Sequence, residues 1–267
     1  MAEVWLGRHG RERVPVAIKF LPIEVIDDLR RRRRFRNEVR SVSRIRHANI
    51  VDIFDYGRVH GETASASNGR FQPGQPYLVM EFGGGGTLAD VSGPLEWPAV
   101  RELVLTLLEA LARAHAHEVI HRDIKPTNVL FTADPLDSRL LLSDFGLAYT
   151  GDGSISGPTP DRQTRGTPFY MSPEQFREKS QSYGPPTDLY GLGCLTWKLV
   201  AGAPPFRASN LMRLATRHLR EPPPSLEPDI DVPEQLEDWL RTMLAKRPAD
   251  RFRSAAAAAC ALRSFSS

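Results

Sequence analysis

Three short stretches gather residue types that handle charge. His121-Arg122-Asp123-Ile124-Lys125-Pro126-Thr127-Asn128 puts an acid, a lysine and an amide into one loop ahead of the apolar run Val129-Leu130-Phe131. Asp144-Phe145-Gly146 follows another apolar run, Leu140 to Leu142. The third is a distant pair, Lys19 at the end of Val16-Ala17-Ile18-Lys19 and Glu38. Glu38 falls on the apolar side of a helical stripe with Phe35, Val39 and Val42, where an unpaired carboxylate would be strongly destabilising. It needs a counter-charge, and Lys19 is the expected partner. Taken singly, each stretch has a plainer reading: Lys19 and Glu38 fit two unrelated surfaces, and a lone Asp-Phe-Gly is a common triplet. In chain order, Lys19 and Glu38 first, then 121–128, then 144–146, each at a strand end or in a loop, the three read as one constellation.

The elements that position them follow from hydrophobic periodicity. Val14 to Leu21, Ile50 to Tyr56 and Tyr77 to Phe82 are strand-like runs, and the stripe Phe35, Val39, Val42, Ile45 predicts a helix over 29–46. Gly57 to Pro76 is rich in Gly, Ser, Ala, Asn and Pro and reads as a long exposed loop. After Gly83 to Gly86 the pattern turns helical. Trp97, Val100, Val104, Leu107, Leu108 and Leu111 trace one inward face, and Leu189 to Val200 is apolar nearly all round, as a central helix should be. Further helices are expected at Leu211 to Leu219, Leu236 to Leu244 and Ser254 to Phe265. The expected architecture is α+β, a small β-rich piece hinged to a larger helical one.

The 267 residues are 41% hydrophobic and 25% charged, ordinary for a globular chain and unlike a collagenous, disulfide-rich or disordered one. No apolar run reaches the roughly 20 residues of a membrane span. The N-terminus lacks signal-peptide character, and Cys194 and Cys260 are too few for a disulfide framework or a zinc site. These features lead to a cytoplasmic expectation. Residues 30–46 hold nine arginines and one acid, Glu38. A solvated helix face accounts for that run better than nucleic acid, since no nucleic-acid motif accompanies it.

The three clusters in their chain order resemble the eukaryotic-type protein kinases, and within them the bacterial Ser/Thr (Hanks-type) kinases. The resemblance covers nearly the whole chain. It implies a two-lobed kinase-like fold, with a small antiparallel β lobe carrying one key helix over 1–82 and a mainly helical lobe over 83–267. It also implies ATP and Mg2+ as cofactors and transfer of the γ-phosphate to Ser/Thr hydroxyls of protein substrates. Lys19 would hold the α- and β-phosphates while paired with Glu38. Asp123 would orient the substrate hydroxyl and accept its proton, Lys125 would neutralise the γ-phosphate, and Asn128 and Asp144 would hold Mg2+. Met80 would be the gatekeeper of the hinge strand Tyr77 to Gly83, with the backbones of Glu81 and Gly83 bonding adenine and Ala17 and Leu130 sandwiching it. Gly166-Thr167-Pro168 through Ser172-Pro173-Glu174 resembles the end of an activation segment, with Thr167 near Asp123 and Lys125. Glu174 would pair with Arg251, and Asp188 would brace the catalytic loop through backbone N–H groups. Arg122 would pair with a phosphothreonine, for which Thr159 or Thr164 is the expected self-phosphorylated residue, an arrangement open to a transient homodimer.

The chain departs from the family at its beginning. The glycine series that covers the phosphates is absent, and Val4 takes the place of the valine about fifteen residues ahead of the lysine. Gly7 and Gly10 are expected in the following turn. A start assigned to an internal methionine of a longer reading frame is the expected explanation, and the sheet should be one strand short. Two alternatives stay open: a pseudokinase or scaffold with weak nucleotide binding, and a phosphotransferase for a small molecule.

Overall fold

The computed structural model describes residues 3–10, 13–22, 29–133, 139–145, 167–177 and 182–265. Its first part is a four-stranded antiparallel sheet of β1 (Glu3–His9), β2 (Val14–Phe20), β3 (Ile53–Arg58) and β4 (Pro76–Glu81), in the order β1-β2-β4-β3. Register pairs Val4 with Lys19, Leu6 with Ala17, Ala17 with Met80 and Lys19 with Leu78, so these side chains share one face. Against that face lies α1 (Leu29–Val42), whose buried Phe35, Val39 and Val42 recur at helical spacing while Arg33, Arg36 and Arg40 face solvent.

The opposite face of the sheet corrects the reading of 57–76 as a long exposed loop. β3 runs on to Arg58, a short helix α2 (Gly61–Ala66) follows, and Val59 and Ala64 are buried. Phe71 stacks on Phe20 at 4.0 Å and meets the edge of Trp5 at 5.8 Å, with the Arg70 guanidinium over the Trp5 ring. Three apolar anchors thus fold a polar-looking segment onto the sheet. Gly10, at φ +64°, makes the β1–β2 turn, whereas Gly7 lies inside β1, where a Cβ would come 2.6 Å from Ile18. The strand expected from Ile50 begins at Ile53. Ile50 instead bridges Leu142, joining the sheet to the helical part.

The larger part is built on α3 (Trp97–Ala116) and α5 (Pro185–Ala201), with α4 (Pro173–Phe176), α6 (Leu211–Arg220), α7 (Gln235–Met243) and α8 (Ala255–Arg263) packed around them. Leu189, Leu192, Cys194, Leu195 and Val200 are fully buried along α5, which explains its apolar sequence on every side. α5 stops at Gly202, whose left-handed φ of +65° a side chain would strain. A two-stranded ribbon, β5 (Val129–Phe131) with β6 (Leu140–Leu142), carries the loop residues towards the sheet. Among the described residues no helix is long and apolar enough to cross a membrane.

Candidate functional site

The loop between α3 and β5 is held from beneath by one carboxylate. Asp188, in the first turn of α5, accepts the backbone N–H groups of His121 at 2.8 Å and Arg122 at 2.7 Å and the Nε2–H of His115 at 2.7 Å, and its side chain is 0% exposed. Those bonds hold Arg122 at φ +66°, a conformation a non-glycine residue adopts only under constraint. His121 is fully buried; burial above all lowers its pKa, leaving it neutral. Its Nε2–H donates to the Ser143 carbonyl and its Nδ1 accepts the Asp123 N–H. Gln175 donates to the Arg122 carbonyl at 2.8 Å.

On this platform Asp123, Lys125 and Asn128 converge. Oδ2 of Asp123 accepts Lys125 Nζ at 2.7 Å and Asn128 Nδ2 at 3.0 Å, and Nδ2 also donates to the Asp123 carbonyl at 2.7 Å. The amide nitrogen of Asn128 is thereby committed, so its amide oxygen is the atom left to face a cation, as Oδ1 of Asp123 is left to meet a hydroxyl. Asp144, at φ +64°, supplies a second hard oxygen donor. Two such donors suit Mg2+ arriving with a polyphosphate, since that ion takes one or two protein oxygens and fills its octahedron with phosphate and water. No group of three or more His, Cys, Asp or Glu side chains with metal-binding geometry occurs among the described residues.

The expected Lys19–Glu38 pair is not formed. Lys19 Nζ lies 2.7 Å from Asp144 Oδ1, and Glu38 Oε1 accepts Arg122 Nη1 at 3.3 Å. Each carboxylate still has one cation, so the set of four charges is as read and the partners are exchanged. Burial raises the Glu38 pKa to about 7, against the opposing pull of Arg122. The physical reason is the seat of α1, which carries Glu38 towards the loop. Arg122 is therefore engaged already, though its Nε is buried with no partner. Thr159 and Thr164 lie outside the described residues, and Thr167 opens a short 3-10 turn, Thr167–Tyr170.

Above the cluster, Ala17 and Met80 are buried in one apolar group with Leu78 and Leu141, against which Leu130 packs. Val4 and Leu6 on the same sheet face are each 62% exposed, so the sheet offers a bare apolar roof there. Gly83 approaches Leu130 so closely that a Cβ would stand 2.8 Å from the leucine Cβ. At the far side, Glu174 takes Arg251 Nη1 and Nη2 at 2.8 and 2.9 Å and the Thr187 hydroxyl at 2.9 Å. Burial would raise the Glu174 pKa, but the Arg251 bonds and charge outweigh it and hold the carboxyl below its usual range. His115 and Gln175, which the motifs do not name, complete the support. Their signal is weak, a polar residue at the end of an apolar helix and one beside Glu174.

The model of the protein kinase domain family matches residues 1–262. The serine/threonine-protein kinase PknB of Mycolicibacterium smegmatis is 32% identical over 260 residues, covering 96% of this chain and 39% of that protein. The serine/threonine-protein kinase PknA of Mycobacterium tuberculosis is 33% identical over 259 residues, covering 95% of this chain and 56% of that protein. The chain thus spans between two fifths and just over half the length of these relatives. A crystal structure of the Mycobacterium tuberculosis PknI kinase domain superposes with a TM-score of 0.67 at 27% identity, covering 98% of this chain and 90% of that one.

Proposed function

The chain belongs to the protein kinase family, and from that premise we propose that it transfers the γ-phosphate of ATP to serine and threonine hydroxyls of protein substrates, with Mg2+. The observation that carries this reading is the convergence of Asp123, Lys125 and Asn128 within 3.0 Å, on a loop pinned by Asp188 and facing the Lys19–Asp144 pair. Asp123 accepts the substrate hydroxyl through Oδ1 and takes its proton as the oxygen bonds to the γ-phosphorus. The bond to the β-phosphate oxygen breaks, and ADP leaves with the electron pair. Lys125, already on Asp123, holds negative charge on the transferring group. Mg2+, when bound through Asn128 and Asp144, supplies neutralising charge on the phosphate oxygens. Lys19 then leaves Asp144 for the α- and β-phosphates and gains Glu38 as partner, which frees Arg122. In this reading the adenine lies between Ala17 with Val4 above and Leu130 below, past Met80, on the backbone of Glu81 and Gly83. Residues 1–82 form the small lobe and 83–267 the large one.

Freed from Glu38, Arg122 is the proposed partner of a phosphate on Thr159 or Thr164, added by the chain itself within a transient homodimer. Thr167, at the end of the activation segment, is the residue proposed to sit near Asp123 and Lys125. Intact-mass measurement after incubation with Mg-ATP tests the whole scheme, with Asp123→Asn as control. Addition of phosphate to the parent and none to the variant is the expected result. Nucleotide binding without phosphate on the chain or on an acceptor protein would overturn it in favour of the pseudokinase reading.

A further inference from the structure

The segment that leaves β4 towards the helical part is fastened at two places. Beyond Gly83, Gly85 N–H donates to the Phe131 carbonyl, Phe131 N–H to Gly86 and Leu88 N–H to Val129, so 85–88 is stitched to β5 by backbone bonds alone. At its beginning the fastening is a side chain. Arg139, in the β5–β6 connection, donates Nη2 to Glu81 Oε1 at 2.9 Å and Nη1 to the Ala48 carbonyl at 2.7 Å. Its own backbone is fixed, with N–H on Thr132 Oγ1 at 2.8 Å and its carbonyl accepting Thr132 N–H at 3.0 Å. Glu81 passes the hold on: Oε2 accepts the Asp52 N–H at 3.3 Å, and the Glu81 N–H donates to the Asp52 carbonyl at 2.9 Å.

One guanidinium therefore ties three chain segments that meet where the two parts of the molecule join: the α1–β3 connection at Ala48, the end of β4 at Glu81 and the ribbon at Arg139. Asn49, next to Ala48, adds its Nδ2 to the Leu140 carbonyl and accepts the Leu142 N–H, both at 2.8 Å. The planar fork of arginine fits this task because it reaches two acceptors in fixed directions, which an ammonium cannot. The site chemistry does not need this ion pair, and none of its three anchor points lies in the catalytic loop. Its geometric consequence is that the backbone of 81–83 and the sheet face carrying Ala17 and Lys19 cannot shift against the ribbon carrying Leu130 unless Arg139 lets go.

We propose that Arg139 is a positioning residue, a clamp that sets the 81–83 backbone for the nucleotide by holding Glu81 to the ribbon and to the α1–β3 connection. The proposal rests on the kinase reading for the identity of the nucleotide, and on the hydrogen bonds alone for the clamp.

Two measurements on the full 267-residue chain separate those supports. The first is amide hydrogen exchange of the parent, Arg139→Ala, Arg139→Lys and Glu81→Gln without nucleotide. Exchange at Asp52 and Glu81 is expected to rise about five-fold or more in Arg139→Ala and Glu81→Gln and less in Arg139→Lys, with Gly85 and Leu88 unchanged. No rise at 52 and 81, or an equal rise at 85 and 88, overturns the clamp. The second is steady-state kinetics. Arg139→Ala should raise KM for ATP about three- to ten-fold, with kcat and the KM of the protein substrate within about two-fold, and Arg139→Lys should recover part of it. An active Arg139→Ala enzyme with unchanged KM for ATP overturns the positioning role. A parent chain that neither binds ATP nor transfers phosphate overturns the kinase reading and with it the nucleotide half of the proposal, while exchange still decides the clamp.

Discussion

Replacing Asp188 by asparagine keeps its shape and removes its charge, which isolates the carboxylate that binds two backbone N–H groups of the loop. In the structure Oδ2 serves His121 N–H and His115 Nε2–H, and Oδ1 serves Arg122 N–H, all within 2.8 Å. An amide offers one acceptor. If its NH2 replaces Oδ2, the His121 N–H faces a donor; if it replaces Oδ1, the Arg122 N–H does. His115 can adapt by moving its proton to Nδ1, but neither backbone group can. A buried donor left unsatisfied costs about 1–3 kcal/mol, and the surviving bonds lose charge assistance of similar size. The sum is about 2–6 kcal/mol, and the left-handed Arg122, held by these bonds, adds to the tendency of the loop to release. For a chain of this size that is a fall in Tm of about 10 °C. Thermal unfolding followed by circular dichroism measures it, with His115→Ala, which removes one bond and should cost about 1–2 kcal/mol, as the graded companion. A loss of less than about 3 °C in Asp188→Asn, with the His121 and Arg122 amides still protected from exchange, would refute the view that this carboxylate carries the loop.

Three other outcomes follow from the same structure. The folded pKa of Glu38, about 7, lies above its ordinary 4.5, so its contribution to stability is full below about pH 4.5 and is lost as pH rises towards 7; the stability of Glu38→Gln relative to the parent should therefore grow by about 2 kcal/mol between pH 5 and pH 8, measured by urea unfolding. Arg251→Leu strands Glu174 in a buried site and should cost about 3–5 kcal/mol, whereas the double variant Glu174→Leu/Arg251→Leu should cost less than the single one in the same assay. Gly85→Ala would press a Cβ to 2.5 Å from the Thr132 carbonyl, so a loss of about 1–3 kcal/mol in thermal unfolding is expected, with the Gly85 amide released to exchange.

The parts of the site that were legible in the sequence are those assembled within a few residues. Asp123, Lys125 and Asn128 lie on one turn of chain, so local order alone brings them together, and β2, β3, β4 and the buried α5 follow from apolar periodicity, whereas the exposed edge strand β1 does not. Segment 57–76 was illegible for the opposite reason. Its composition is that of a loop, and only three scattered anchors, Val59, Ala64 and Phe71, commit it to the body of the protein. His115 was hidden because its partner lies 73 residues away, and a histidine at the end of an apolar helix has no local sign of what it meets.

The Lys19–Glu38 expectation failed on a different ground. Lys19, Arg122, Glu38 and Asp144 are two cations and two anions, and such a set can be paired in two ways. Lys19 with Glu38 leaves Arg122 and Asp144 for a phosphate and a metal ion; Lys19 with Asp144 and Glu38 with Arg122, the arrangement found, satisfies all four within the chain. Sequence specifies the set, because each charge needs a counter-charge, but either pairing meets that need. The choice falls to the position of α1, which carries Glu38 to Arg122 and leaves Lys19 to Asp144. A ligand bearing negative charge competes for both cations, and its arrival would favour the Lys19–Glu38 pairing, which releases Asp144 and Arg122 from the bonds they make in the structure.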